Sequence, residues 1–382
     1  MLRALLVALL MALPDREPEG SWASLYDRAR PPGKEICIAV IDVDELAGFA
    51  AIPAPTGAEE ARLTWLEQRL GDAPGTRRRD AAGNLIWSFG DGRADLLVMA
   101  HVDTVFPADT VLAFAREGDD LVGPGVGDNA TAVMATVWAL ERLEPPPGLT
   151  VAFTVGEEGL GNLRGARQAC ADLSPERALA VEGHGLDHVV IDHVGSVRAR
   201  ICVAGPGGHS WHDRGTPSAV HALLALGGPL MADPVNIGRV SGGGAVNAIA
   251  ADAEMLVELR SLDDEELRRF ESGLGELSVP SPLRLHVEVV GRRGAGRVDA
   301  EHPLVRSVME TRRALALSQT FAAGSTDANA AAAFGIPAVC IGCAHGSGMH
   351  TTHERVDVRS LEVGVEQVAA VVRRALNQSA PA

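Results

Sequence analysis

Lysine is almost missing from this chain. Lys34 is the only one among 34 basic residues, so the basic groups are nearly all arginine, a bias of GC-rich coding that says nothing about function. Basic groups are also outnumbered: the formal net charge is −16 and the pI is near 5.2, which excludes an electrostatic surface for nucleic acid. No run approaches eighteen consecutive apolar residues, so no membrane span is expected. The five cysteines, Cys37, Cys170, Cys202, Cys340 and Cys343, are an odd number scattered over a large chain. They resemble no disulfide framework and point to a reducing compartment.

What is present is enough apolar residue, 46% of 382, for a sizeable core and two domains. Residues 1–40 form an N-terminal extension of uncertain status. The run from Ala4 to Leu13 has the length of a signal h-region, but only Arg3 is charged before it, and the acidic DREPEG stretch from Asp15 follows. The expectation is a cytoplasmic protein with an extended or mis-assigned start, with export through a signal left open.

Four apolar runs end abruptly in metal-ligand residues. LLVMA leads into His101 and Asp103, VAFTV into Glu157 and Glu158, ALAV into Glu182, and AVCIG is followed by His350. Such runs read as buried strands, and α/β sheets carry their chemistry at the carboxyl ends of strands. Asp128, in GVGDN, opens a helix-like stretch from Ala130 to Leu143, which sets its carboxylate at a positive helix end. Two histidines and three carboxylates without thiolate make a two-metal hydrolase centre of zinc, cobalt or manganese type. Asp103 is placed to accept a hydrogen bond from the His101 nitrogen that is not on metal. Glu157 and Glu158 are neighbours and diverge, so that one binds metal while the other serves as general base.

A second pattern starts near residue 196. Val197, Ala199, Ile201 and Val203 alternate with polar residues, as do Met255, Val257 and Leu259, and then Leu283, Leu285, Val287 and Val289. Helical stretches at Pro217 to Met231 and Asp263 to Leu274, the latter capped by Ser261 or Asp263, and a short strand at Val235 to Val240 give the order β-α-β-β-α-β of a ferredoxin-like fold. The expected division is a catalytic domain of residues 41–195 and 297–382 and an inserted domain of 196–296, with the catalytic part resuming at a helix from Pro303 to Leu317. CIGC at Cys340 to Cys343, followed by His345, His350 and His353, reads as two packed strand cysteines or as half of a zinc or redox site. His184, His188 and His193 crowd the segment after Glu182, where one of them can substitute as a ligand. His221, His286 and His302 read as surface or packing residues.

HVDT from His101, GVGDN, VGEEG, Glu182, GPGGHS from Gly205, VNAIAADAEMLVELR with Asn247 and Arg260, GSTDAN from Gly324, and HTTHE from His350 to Glu354 together resemble the M20 family of zinc exopeptidases. That group includes carboxypeptidase G2, succinyl-diaminopimelate desuccinylase, aminoacylase and peptidase T. The resemblance runs from about Val43 to Val372, and its ordered elements are more specific than any one motif. It implies a mixed-sheet α/β catalytic domain with an inserted ferredoxin-like α+β dimerisation domain, and a homodimer through that insert. It implies two zinc ions per subunit, His101 and Glu182 on one, Glu158 and His350 on the other, Asp128 between them, Asp103 beside His101, and Glu157 as the base. Glu at position 182 goes with recognition of a free carboxylate. Asn247 and Arg260 match a carboxylate clamp, Ser325 and Thr326 fall at substrate-binding positions, and His209 matches a histidine that reaches the partner subunit's site, although GPGGHS also reads as a Gly-rich turn. The implied function is a carboxypeptidase-like or di/tripeptidase activity on small peptides, with an N-acyl or N-carbamoyl amino acid deacylase as the alternative. A non-catalytic amino-acid-binding protein is the remote alternative.

Overall fold

The four apolar runs are inner strands of one sheet in the computed structural model, which describes residues 41–90, 94–231 and 234–377. The expected N-terminal extension and Cys37 lie outside the described residues. In chain order the strands are β1 (Thr76–Arg79), β2 (Leu85–Phe89), β3 (Leu96–His101), β4 (Leu149–Thr154), β5 (Arg177–Glu182), β6 (His188–His193), β7 (Gly195–Ala204), β8 (Val235–Gly242), β9 (Asp252–Ser261), β10 (Arg284–Arg293), β11 (Gly296–Arg297), β12 (Thr320–Gly324) and β13 (Ala338–Gly342). The large sheet runs β1-β2-β4-β3-β5-β13-β6-β11, with β12 paired to β6. β3 is parallel to β4 and β5, and β13 is parallel to β5. Their carboxyl ends therefore share one edge, and all four metal-ligand segments leave the sheet there.

Period two explains why these runs are continuously apolar. Leu96, Val98 and Ala100 enter a core shared with helices α1 (Val43–Ala50), α2 (Glu60–Leu70), α3 (Ala132–Glu141), α7 (Pro303–Ala314) and α9 (Leu361–Asn377). Leu97 and Met99 enter a second core on the opposite face, under α4 (Arg164–Leu173) and α8 (Ala328–Ala333). The fold is a mixed-sheet α/β architecture. Helix α3 begins at Ala132, two residues after the expected Ala130, and is preceded by a wide turn over Val126–Thr131 in which Asp128 and Asn129 depart from helical φ/ψ. Among the described residues no helix is long and apolar enough to cross a membrane.

The segment between β6 and β11 forms its own antiparallel sheet in the order β8-β9-β7-β10. Helices α5 (Ala219–Leu230) and α6 (Asp264–Gly275) cover one face, where Val197, Ala199, Ile201, Val203, Met255, Val257 and Leu259 are buried. Asp263, and not Ser261, caps α6 by accepting the Glu265 N–H at 2.9 Å. The other face turns toward the carboxyl edge of the large sheet and carries the alternate residues, Arg198, Glu258 and Arg260 among them.

Candidate metal centre and substrate cavity

At the carboxyl edge of β3, β4, β5 and β13 a cavity of about 640 Å³ is lined by His101, Asp128, Glu157, Glu158, Glu182 and His350, and also by Arg260, Ser325 and Thr326. His101 is the last residue of β3 and is buried. Its Nε2 lies 3.1 Å from Asp128 Oδ1 and 3.6 Å from Glu182 Oε2. His350 Nε2 lies 3.0 Å from the other Asp128 oxygen, Oδ2, and 3.4 Å from Glu158 Oε1. Asp128 thus presents one oxygen to each histidine, and each histidine has a glutamate of its own. His101, Asp128 and Glu158 offer ligand atoms within 4.8 Å of one another, so these three alone could hold a metal ion.

The electrostatics suit a divalent cation. Burial, opposed by His101 but reinforced by Asp128 and Glu157, pushes the Glu182 carboxyl up to about 8. Burial, with repulsion from Asp128 and Glu157, likewise raises Glu158 despite its bond to His350. Asp128 goes the other way: burial opposes its ionisation, but the bonds from His101 and His350 outweigh it. Carboxylates this close and this dry need cations, and imidazole plus carboxylate is the donor set of catalytic divalent metals. Cys340 and Cys343 are free and buried, burial raises both thiols well above their ordinary value, and neither belongs to the converging group of His101, Asp128 and Glu158.

Asp103 has a further task beside the expected one. His101 Nδ1 lies 3.2 Å from the Asp103 carbonyl and 3.5 Å from its carboxylate Oδ1. The carboxylate also accepts the Glu157 and Glu158 backbone N–H groups, each at 3.0 Å, and the Thr56 hydroxyl at 2.9 Å. It pins the loop that carries both glutamates. Burial opposes its charge, but His101 and those two N–H groups hold it below its ordinary value.

Several residues that the sequence reading passed over complete the site. Arg293, buried at the end of β10, places Nη1 2.7 Å from Glu157 Oε1 and 3.0 Å from the Ser325 hydroxyl, while its Nη2 donates to the Glu157 carbonyl. Oε2 of Glu157 is left without a protein partner among the described residues. On the open face of the inserted sheet, Arg198 Nε and Arg260 Nε donate to the two oxygens of Glu258, at 2.8 and 3.0 Å. Period two had already set Arg198 opposite the buried Val197 and Ala199. Nothing local in the sequence flags Arg293.

Glu354, fully buried, supports Asp128 from below. Its Oε1 accepts the Asp128 N–H at 2.9 Å and faces His184 Nε2 at 2.6 Å. His184 is therefore held by Glu354. His193 is buried against the Ala338 carbonyl, and His188 pairs with Asp187. Glycine is required here: a Cβ on Gly127 would meet His184 Nε2 at 2.1 Å, and one on Gly183 would meet the Gly127 carbonyl oxygen at 1.8 Å.

Three expected site residues do not line this cavity: Asp103, which is fully buried, and His209 and Asn247. His209 and Asn247 are exposed and lie together, His209 paired with Ala248 on a two-residue ladder and the Ser210 N–H bonded to the Asn247 carbonyl at 3.0 Å. Asn247 thus lies beside His209, before the start of β9, whereas Arg260 lies at the far end of that strand.

Comparison with known proteins agrees with this geometry. The profile of peptidase family M20/M25/M40 matches residues 97–374. A peptidase M20 domain-containing protein of Schizosaccharomyces pombe is 29% identical over 231 residues, 55% of this chain and 55% of that protein, so the shared segment is little more than half of either. A succinyl-diaminopimelate desuccinylase of Methylobacterium is 27% identical over 396 residues, covering 88% of this chain and 95% of that protein. Among solved structures, a tripeptidase of Staphylococcus aureus superposes with a TM-score of 0.72 at 22% identity, over 88% of this chain and 98% of that one.

Proposed function

Because this chain belongs to peptidase family M20/M25/M40, we propose that it is a metal-dependent amide hydrolase acting on small peptides that carry a free carboxylate next to the scissile bond, as a carboxypeptidase or di/tripeptidase. The observation that carries this reading is the Asp128 carboxylate set between His101 and His350, in one cavity with Arg260. A deacylase of N-acyl or N-carbamoyl amino acids uses the same parts. The desuccinylase relative, matched over nearly its whole length, favours it as the second reading.

In this reading His101 and Glu182 would hold one ion and Glu158 and His350 the other, with Asp128, whose two oxygens face the two histidines, available to both. Two divalent ions, zinc with cobalt or manganese as substitutes, supply Lewis acidity and an acidified water when bound. Glu157 accepts the water proton on Oε2, since Arg293 engages Oε1, and returns it to the leaving nitrogen. Arg260 receives the substrate carboxylate on its free guanidinium edge, with Nε committed to Glu258. Ser325 and Thr326 line the same cavity and contact the substrate. Residues 41–195 and 297–382 make the catalytic domain, and 196–296 a dimerisation domain through which two copies pair. His209 and Asn247, absent from their own cavity, are delivered together to the partner subunit's cavity, where His209 donates to the developing oxyanion.

The test is amine release by the metal-reconstituted full chain from dipeptides, tripeptides, N-acetyl and N-carbamoyl amino acids, each with a free and an amidated carboxyl end. Turnover confined to free-carboxylate substrates is expected. Equal turnover of amidated substrates, or none of any, would sink the reading.

A further inference from the structure

The cavity has two chemically distinct walls. The insert supplies its arginines: Arg198, Arg260 and Arg293, with Glu258 between two of them. On the catalytic side, three of the five segments that deliver ligands, those of His101, Glu158 and His350, also place a large apolar side chain at the cavity mouth. Val105 follows the His101 segment, Leu160 sits two residues after Glu158, and Met349 immediately precedes His350. They are 39%, 55% and 48% exposed, and unlike the domain's other exposed apolar residues, Val111, Phe321 and Phe334, all three line the cavity. Single exposed apolar residues are ordinary, but three converging on one cavity mark a surface built to be covered.

The substrate's orientation follows, resting on the hydrolase reading above. With the carboxylate on Arg260 and the amide carbonyl at the His101–Asp128–His350 cluster, the amine half occupies the insert wall. The acyl half is left against Val105, Leu160 and Met349. We propose that these three residues form an acyl subsite for an aliphatic or aryl group, so that the substrates are amides joining an apolar acyl unit to an amino acid with a free carboxylate. The acyl unit can come from an apolar N-terminal residue or from a fatty or aryl acid. Both present the same hydrocarbon to this wall.

A series of straight-chain hydroxamates from acetyl to hexanoyl tests the subsite without turnover, through the visible spectrum of the cobalt-loaded full chain. Each added methylene should tighten binding by about two- to fourfold, the range for partial to full burial of a CH₂. Leu160→Ser and Met349→Ser, both at exposed positions, should each flatten that slope while the melting temperature holds. A second arm compares 4-methylpentanoyl-alanine with acetyl-alanine, and leucyl-alanine with glycyl-alanine. A preference of about tenfold or more in the first pair assigns the hydrocarbon to an N-acyl group, and in the second pair to an aminoacyl group. A flat hydroxamate series, or a slope unmoved in both variants, overturns the subsite even if the amides are cleaved. A steep series with no turnover of any amide keeps the subsite and removes the hydrolase reading instead.

Discussion

The catalytic wall of the cavity and the insert wall hold their charges in opposite ways. Asp103 is buried, accepts three hydrogen bonds, and fixes the Glu157–Glu158 loop. Asp128 is backed by Glu354 and flanked by two histidines. Across the cavity, Arg260 is half exposed and held through Nε alone, by a glutamate it shares with Arg198. Groups locked at the ends of doubly covered strands cannot adjust, so they suit the reacting atoms, where small displacements are costly. Groups on a sheet with one open face can adjust, so they suit the recognition of variable substrates. Changes on the catalytic wall should therefore remove chemistry or metal, as should changes at Arg293, which the insert sends, buried, onto Glu157, and changes at Arg260 should remove affinity.

The largest effect is expected at Glu157. Glu157→Gln should retain its metal and lose about 10³- to 10⁴-fold in kcat, the upper range for loss of a general base. Asp128→Asn and Glu158→Gln should instead lower bound metal, read by elemental analysis after dialysis. A Glu157→Gln protein with ordinary turnover would transfer the base role elsewhere and erase the contrast between the walls.

The two walls also differ in how far the sequence discloses them. β3, β4, β5 and β13 were legible because burial on both faces makes each an unbroken apolar run, and the residues at their ends followed directly. The inserted strands were legible by their alternation, which even places Arg198 and Glu258 on the open face. What escaped were contacts between distant segments. Arg293 meets Glu157 across 136 residues and Glu354 meets Asp128 across 226, and no local pattern encodes either. The family resemblance pairs Asn247 with Arg260, and the strand pairing of Ala248 with His209 sets Asn247 beside His209 within its own subunit. Asp103 was given to the imidazole because two residues apart on a strand share a face. The same carboxylate also takes the backbone N–H groups of the Glu157–Glu158 loop, a long-range contact that this spacing does not disclose.

On the insert wall, Arg260→Ala should raise KM for free-carboxylate substrates with little change in kcat. Truncating one partner of a charge pair that substrate closure dries out costs about 2 to 3 kcal/mol, a factor of roughly 30 to 150. Amidated analogues should be nearly indifferent. An equal loss for free and amidated substrates would show that Arg260 does not read the carboxylate.

Glu354 tests whether the rigidity of the catalytic wall matters beneath the ligands themselves. Glu354→Gln keeps the shape but replaces a charged acceptor under the Asp128 N–H and the His184 ring. Metal affinity should fall by about 10- to 100-fold, the usual effect of altering a group that supports a ligand, as measured by competition with a chelator. His184→Asn should fall in the same direction. Unchanged affinity in both would mean that Asp128 is positioned by its histidines alone.

The smallest signal comes from the part of the insert that lies outside its own cavity. If His209 and Asn247 serve the partner subunit, His209→Ala and Glu157→Gln proteins, each nearly inactive, should regain activity when mixed and allowed to exchange. A mixed dimer has one cavity with an intact Glu157 and an intact His209 from the opposite chain, while its second cavity lacks both. Random pairing makes about half the dimers mixed, each with one working site of two, so roughly a quarter of wild-type activity should return. An Asn247→Ala protein should complement Glu157→Gln in the same way but fail to complement His209→Ala, because both of those defects fall in the same cavity of a mixed dimer only when they come from one chain, and from two chains each cavity keeps one defect. No recovery in the first mixture, with exchange confirmed by differential labelling, would return the Gly208–His209 ladder to a structural turn and leave each subunit with a self-contained site.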